Sequence, residues 1–294
     1  MKKVAVYSII IVFIIFISTK IPRIVDFVSN SFWTIVAEQL EKEEAKRGQI
    51  TYSSANGDRR GVYILDLSSE KKAFVPDCLG IQLLNDDEAL LICYRKIKII
   101  DIVSKDEKCE YDTNCNIDYV GQKTGTVISF SSGKSIYELD LTSGGMKCIV
   151  TDNGSKYHGW NNDSLIYSND RNEIIELNPE ENTLNKICTG TNPTVSPNGS
   201  LIAYSDESGK LNVLSLTNGE KYVFKFPVYY YCFSPDSKFV LIESEMSTAT
   251  AIKNLFSNGR VIGHKIIAWN YESNKEYAIV KSCEFGAGKG FSWR

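Results

Sequence analysis

The sequence predicts an all-β fold: a six-bladed β-propeller closed by its C-terminal strand and preceded by an N-terminal transmembrane helix and a short amphipathic helix. Three observations lead to this prediction. A short strand pattern occurs six times, its period is about 38 residues, and an uncharged apolar run lies near the N-terminus. The predicted segments are residues 1–21 for the membrane anchor, 22–47 for the amphipathic stalk and 48–294 for the propeller.

The repeat is clearest in residues 196–221, which read SPNGSLIAYSDESGKLNVLSLTNGEK. Ser-Pro-Asn-Gly is turn chemistry, because proline presets φ and Asn-Gly tolerates a positive φ. The runs SLIAYS, LNVLSL and YVFKF alternate with turns, and they carry β-branched and aromatic residues typical of strands. A similar stretch, SPDSKFVLIESE, occupies residues 234–245. The unit therefore contains strands and turns without a helical period.

One strand of the unit has a recognisable sequence pattern, in which apolar residues are followed by a short polar residue just before the turn. The polar residues are Asp66, Asp101, Asp140, Asn178, Ser215 and Asn270. The preceding strand is predicted to end at Tyr52, Tyr94, Phe130, Tyr167, Tyr204 and Glu243. Both registers indicate a period of about 38 residues, near the ~40–45 of a four-stranded propeller blade. We expect the polar residues to bond the backbone of the following turn, a structural role.

The two ends of the repeat region predict how the ring closes. The first unit, GQITYSS at residues 48–54, lacks the innermost strand that precedes Ser-Pro in later units. The chain ends with GKGFSWR, a single strand-like piece. We expect this C-terminal strand to complete the first blade, which would leave no open edge in the ring.

The stretches SPNGSLIAYS and SPDSKFVLIES resemble the repeats of TolB-type β-propellers, which are similar to those in the propeller domains of prolyl oligopeptidase-like proteins. The resemblance covers about residues 48–294 and implies a propeller fold. It implies no catalytic residue, because no G-x-S-x-G elbow and no hydrolase half accompany the repeats. Ser237 stands where the repeat has glycine, and a left-handed conformation there would cost about 1 kcal/mol.

The N-terminus predicts a membrane segment. Lys2 and Lys3 precede VAVYSIIIVFIIFIS at residues 4–18, which carries no charge. With no A-x-A-like cleavage site following, we favour an uncleaved signal anchor, with the N-terminus cytoplasmic and the propeller extracytoplasmic. A cleaved secretory signal and a buried core helix are the alternatives. Apolar residues at helical spacing within 24–40 predict the amphipathic stalk.

Composition limits the possible functions. The formal net charge is −3 over 294 residues, so the chain lacks the excess of positive charge that is typical of nucleic-acid-binding proteins. The spacing of the eight cysteines is not a zinc pattern, and we expect them to pack as small apolar residues. Cys109, Cys148 and Cys188 are predicted on outermost strands, and Cys109 with Cys115 is the short-range disulfide candidate. The sequence predicts no catalytic residue, no metal site and no cofactor; His158 is predicted as a structural residue on an innermost strand.

Two features could bind a partner. Aromatic residues on the innermost strands include Trp160, Tyr229 and Tyr231, some of which could stack on a sugar or grip a peptide at the channel mouth. An 18-residue excess over the repeat falls within residues 247–265, where Leu255 and Phe256 could form a hot spot for a protein partner.

We therefore expect a membrane-anchored, extracytoplasmic, non-enzymatic module that binds a protein or a cell-envelope component and no nucleic acid. The alternative is a propeller enzyme that acts on a glycan as a lyase or glycosidase, which would need paired carboxylates or a metal cluster in its channel.

Overall fold

The computed structural model describes residues 38–54, 61–85, 87–122, 126–151, 158–228, 230–245, 264–283 and 292–293. The chain divides into two compact units, Met1–Arg47 and Gly48–Arg294. The described part of the first unit is helical over residues 38–44. The predicted membrane anchor and residues 22–37 of the predicted stalk lie outside the described residues, and no helix within those residues is long and apolar enough to cross a membrane.

The second unit contains six four-stranded antiparallel sheets, which confirms the predicted six-bladed all-β propeller. Each sheet is one blade, and its first strand is the innermost. In chain order the strands are β1 (Gln49–Ser54), β2 (Gly61–Asp66), β3 (Lys72–Pro76), β4 (Gly80–Leu83), β5 (Glu88–Cys93), β6 (Lys96–Asp101), β7 (Glu107–Asp112), β8 (Tyr119–Gln122), β9 (Val127–Ser132), β10 (Ser135–Asp140), β11 (Met146–Val150), β12 (His158–Asn161), β13 (Ser164–Ser168), β14 (Glu173–Asn178), β15 (Thr183–Thr189), β16 (Thr191–Val195), β17 (Leu201–Ser205), β18 (Lys210–Ser215), β19 (Lys221–Pro227), β20 (Tyr230–Phe233), β21 (Phe239–Glu245), β22 (His264–Asn270), β23 (Lys275–Cys283) and β24 (Ser292–Trp293).

Blades 2 to 6 each take four consecutive strands, β4–β7 through β20–β23, whereas blade 1 has the order β24-β1-β2-β3. The C-terminal strand β24 pairs antiparallel with β1, with Trp293 opposite Ile50 and Ser292 opposite Thr51. The prediction that the end of the chain supplies the missing innermost strand of the first blade is therefore confirmed. Because both chain ends contribute to one sheet, the ring is held closed by β-ladder hydrogen bonds.

The period is also confirmed, with two errors of register, at Tyr94 and at Glu243. The second strands of successive blades begin at Gln49, Glu88, Val127, Ser164, Leu201 and Phe239, at intervals of 39, 39, 37, 37 and 38 residues. Five of these strands continue one or two residues beyond their predicted ends. The predicted end at Tyr94 was wrong in the other direction, because β5 ends at Cys93 and Tyr94 lies in the turn that follows. Leu91, three residues after the start of β5, takes the place that Phe130 has in β9. An aliphatic residue fills that buried position as well as an aromatic one, so the aromatic residues did not mark it reliably.

The short polar residues at the ends of the third strands cap their turns, as predicted. In all six turns the side-chain oxygen accepts a backbone N–H two or three residues later, at 2.7–3.3 Å. These bonds hold the pKa of the Asp66 carboxyl down at about 2, chiefly through the backbone N–H of Ser69. The carboxylates of Asp101 and Asp140 also have a lowered pKa for the same reason.

Antiparallel pairing gives the ring two distinct faces. The turns after the first and third strands lie on one face, which we call the Asx face because it carries the six polar caps. The turns between second and third strands and the connections between blades lie on the other, which we call the hairpin face. The chain enters the ring at Gly48 on the Asx face, where its carbonyl accepts the N–H of Leu67 at 2.9 Å.

The core lies between the blades and is therefore a series of inter-blade clusters. Between blades 5 and 6, for example, Leu211 and Phe224 of blade 5 pack with Ile242, Ile267 and Trp269 of blade 6. Alternation along each strand sends successive side chains to opposite neighbouring blades. Each blade thus buries both of its faces only because it has two neighbours.

Candidate functional site: the axial channel and its hairpin-face mouth

Small or polar residues recur at one position of the innermost strands. One residue in each blade faces an equivalent position of the second strand, and the six are Gln82, Gly121, Gly159, Thr194, Cys232 and Ser292. A Cβ on Gly159 would lie only 2.8 Å from a side-chain carbon of Val195 in the next blade. The glycine therefore lets the innermost strands of blades 4 and 5 approach one another closely.

Tyr119 reaches across this axis. It begins the innermost strand of blade 3, and its hydroxyl is hydrogen-bonded by the side chain of Thr194 in blade 5. The ring meets the imidazole of His158 in blade 4 edge-on, with centroids 5.3 Å apart. Burial raises the pKa of Tyr119 to about 12. A side chain that bonds a residue two blades away must pass inside the ring, so Tyr119 fills part of the channel.

His158 belongs to a buried polar cluster between blades 3 and 4. Its Nε2 lies 2.7 Å from Ser129 Oγ, and the indole N–H of Trp160 donates to the same oxygen at 2.8 Å. Ser129 Oγ also lies 3.2 Å from the carbonyl of Gly121. All these contacts are satisfied at once when the serine hydroxyl donates to the carbonyl and accepts from both rings. This geometry gives His158 the structural role that the sequence predicted.

Tyr231, a predicted binding residue, packs between blades 5 and 6. Its hydroxyl donates to the carbonyl of Asn192 at 2.6 Å and lies 3.2 Å from Ser205 Oγ. Burial raises the pKa of Tyr231. Asn192 lies in a β-bulge of β16 and has a φ of 56°, a left-handed conformation that asparagine tolerates better than most residues.

The other predicted binding residues lie in different environments. Trp160 is buried against Ile136 and Leu165 in the cluster between blades 3 and 4, and its indole N–H is bonded to Ser129. Tyr229, Leu255 and Phe256 lie outside the described residues. The structure therefore brings Trp160 and Tyr231 to the inner part of the ring but into different inter-blade contacts, and their binding role stays a prediction.

Glu243 is a residue that sequence reasoning did not single out. It lies opposite Tyr230 in β21, at the hairpin-face end of the strand. The equivalent position is a buried serine in three other blades: Ser131, Ser168 and Ser205. The Glu243 side chain is only 6% exposed, and burial raises its pKa to about 7. The repeat period alone conceals this difference, because it places Glu243 level with the aromatic residues Phe130, Tyr167 and Tyr204, one position before the serines.

Several acidic side chains of the ring form ion pairs with lysines. Glu110 bonds Lys96 and lies 2.8 Å from Lys98, while Lys134 in blade 3 lies 2.7 Å from Asp170 in blade 4 on the hairpin face. Within the described part of the chain, no three His, Cys, Asp or Glu side chains are grouped so that they could hold a metal ion.

The cysteines lie on the strands that the repeat predicts, but the expectation that they pack as small apolar residues was wrong for Cys109 and Cys148, which are exposed. Cys109, Cys148 and Cys188 lie on the outermost strands β7, β11 and β15. The seven cysteines whose side chains are described are all free thiols, so Cys109 and Cys115 are not bridged in this structure. Burial raises the pKa of the thiol of Cys232, which lies on the innermost strand of blade 6.

Comparison with known proteins assigns the chain to no family. No family model matches the chain. No curated protein matches it. Many solved structures do match, among them the crystal structure of Kluyvelomyces marxianus Hsv2, with a TM-score of 0.48 and 13% sequence identity. That match covers 62% of this chain and 66% of the Hsv2 chain, slightly less than two thirds of the latter.

Proposed function

We propose that this protein is a TolB-type propeller that binds a protein or cell-envelope component without catalysing a reaction, and that it is anchored in the cell membrane with the propeller extracytoplasmic. One topological observation carries the proposal. The chain reaches the ring at Gly48 on the Asx face, whereas both ends of the long β21–β22 connection, Glu245 and His264, lie on the hairpin face. The longest departure from the repeat thus leaves the face opposite the one at which the first strand of the ring begins, and loops carried by a rigid scaffold are common binding elements.

The binding role is tested by partner recovery from solubilised membranes. Replacing Leu255 and Phe256 with serine is expected to abolish recovery while circular dichroism and the melting temperature stay unchanged. The matched control replaces Val223 and Phe226 with serine. These two residues are about half exposed on the outermost strand of blade 5, and this change is expected to leave recovery intact. Equal recovery by both double variants would refute a role for Leu255 and Phe256.

The membrane topology has a separate test. Cell fractionation should place the full-length chain in the membrane, and protease added to spheroplasts should remove the propeller. Protection from the protease would reverse the proposed orientation. A soluble chain that lacks about the first twenty residues would show that the signal is cleaved.

Glu243 favours one alternative, an enzyme that acts on a glycan. A carboxyl that keeps its proton up to about pH 7 has the property of a general acid in glycoside hydrolysis. The test is release of reducing ends from cell-wall polysaccharides by the purified full-length protein. Activity that Glu243→Gln removes would replace the binding proposal, and no release by the wild type would eliminate this alternative for those substrates.

A further inference from the structure

The turn between β5 and β6 presents an aromatic and a cationic side chain on the hairpin face. Tyr94 is 69% exposed. Among the large apolar side chains that are exposed in the described part of the chain, it is the most exposed aromatic one. Arg95 follows it and is also exposed. The other described turns between second and third strands carry polar and charged residues and glycine: Gly133–Lys134, residues 169–172 and residues 206–209. Packing does not require an aromatic residue at this tip.

Arg95 also occupies an unfavourable backbone conformation. Its φ is 62°, in the left-handed region that disfavours residues with a Cβ. The other described hairpin-face turns meet the same requirement with Gly133, Asn172 and Gly209, at φ of 59°, 56° and 76°. Glycine would adopt this conformation without steric cost, so the backbone does not require arginine here.

The turn is held rigidly against the next blade connection. Arg95 Nη2 donates to the carbonyl of Asn114 at 3.1 Å, and the backbone N–H of Thr113 donates to the Arg95 carbonyl at 3.0 Å. One guanidinium nitrogen is therefore fixed while the exposed head has further N–H donors. A group already fixed before binding loses little conformational entropy when it binds.

We propose that Tyr94 and Arg95 form a contact site for a protein partner, which supplies a carboxylate to Arg95 and an apolar side chain to Tyr94. A guanidinium matches a carboxylate in geometry, and tyrosine and arginine are the residues enriched at binding hot spots. The site lies on the same face as the two ends of the β21–β22 connection, on a different blade. This inference rests on the proposed binding function and assigns it a second set of contact residues.

The test uses photocrosslinking by the full-length protein in the membranes of its native cells. A benzophenone amino acid replaces Tyr94 in one strain and Val103 in another. Val103 is the matched control because it is 84% exposed in the turn after β6, on the Asx face of the same blade. We expect a discrete, protease-sensitive adduct from position 94 and none from position 103.

A second pair of variants separates strain from recognition. Arg95→Gly and Lys105→Gly each replace a left-handed residue of blade 2 with glycine, because Lys105 has a φ of 64° on the Asx face. Both variants are expected to raise the melting temperature. Only Arg95→Gly should weaken the adduct from position 94, at least fivefold, and the Lys105→Gly variant should keep it.

The outcomes distinguish this inference from the proposed function. If position 94 gives no adduct, or one that Arg95→Gly leaves unchanged, while partner recovery still depends on Leu255 and Phe256, the contact site is refuted and the binding function stands. If no partner is recovered by either method, both are refuted. An adduct that resists protease would identify a glycan and overturn the assigned class of partner.

Discussion

Tyr119 of blade 3 is hydrogen-bonded to Thr194 of blade 5 across the axis of the ring. These residues are separated by a whole blade, so the bond connects parts of the ring that share no inter-blade interface. It lies beside the His158 ring, which is itself fixed by Ser129 between blades 3 and 4. The channel interior therefore contributes to holding the blades together, in addition to the inter-blade clusters.

The first prediction concerns this bond. Tyr119→Phe keeps the ring and removes the hydroxyl, so Thr194 loses its partner, and the free energy of unfolding should fall by about 1 kcal/mol. Urea unfolding of the purified protein measures the change. Tyr137→Phe is the matched control, because Tyr137 stacks on Phe130 and its hydroxyl has no hydrogen bond to the described residues. Equal losses in the two variants would show that the cross-axis bond contributes nothing specific.

The second prediction concerns Ser237, which stands where the repeat has glycine. Its φ is 61°, and Gly199 has a φ of 73° at the equivalent turn of blade 5. Ser237→Gly should raise the free energy of unfolding by up to about 1 kcal/mol, because glycine adopts this conformation without steric cost. The side-chain bond that is lost, from the Asn198 N–H to Ser237 Oγ, is long at 3.4 Å.

Gly199→Ser is the reciprocal control for that prediction. It places a side chain at a positive φ, and its Cβ would lie 2.7 Å from Asn161 Oδ1. Thermal unfolding should show opposite shifts for the two variants. A lower melting temperature for Ser237→Gly would mean that the serine hydroxyl outweighs the backbone strain.

The sequence predicted those parts of the fold that depend on local chemistry. The polar caps such as Asp66 could be recognised because a turn needs a specific acceptor at a specific position. The closing strand could be predicted because the first blade visibly lacked one. The register of blade 2 was missed because Leu91 and Phe130 satisfy the same buried position, so the pattern there specifies only an apolar residue.

The candidate site was less predictable for a geometric reason. Whether Trp160 or Tyr231 faces the lumen or a neighbouring blade depends on alternation, and a shift of one residue reverses it. The contact between Tyr119 and Thr194 depends on the curvature of the closed ring, which no spacing in the sequence encodes. Glu243 differs from its equivalents only in the observed strand register, which places it at the position that Ser131, Ser168 and Ser205 hold in three other blades.

The third prediction concerns ring closure. Trp293 is 8% exposed, lies opposite Ile50 and packs near Phe239 with ring centroids 6.2 Å apart. Trp293→Ala should lower the free energy of unfolding by about 3–5 kcal/mol, as expected for truncating a buried aromatic residue. Deleting residues 289–294 should destabilise the entire domain, because it also removes the ladder to β1. Denaturant unfolding measures both changes.

The control for ring closure is Phe226→Ala, since Phe226 is 51% exposed on an outermost strand. It should change the stability by less than about 1 kcal/mol. If the C-terminal deletion has an effect as small as this control, the closing strand does not hold the ring.

The last prediction concerns the pH dependence of stability caused by Glu243. Its pKa is raised from 4.5 to about 7 by burial, so the folded state keeps a proton that the unfolded state has lost over this interval. Where the folded state binds more protons, stability falls as the pH rises. This carboxyl should therefore lower the free energy of unfolding between about pH 4.5 and 7, by roughly 3 kcal/mol in total.

Glu243→Gln removes the ionisation while keeping the size of the side chain. Urea unfolding of this variant at pH 5 and pH 8 should show a smaller difference in the free energy of unfolding than the wild type shows. Because the serines in the equivalent positions of other blades do not ionise in this range, Ser205→Ala should leave the pH dependence as it is. A Glu243→Gln variant with the same difference between pH 5 and pH 8 as the wild type would show that this carboxyl titrates normally in the folded protein, and would also remove the observation that favours a glycan-acting enzyme.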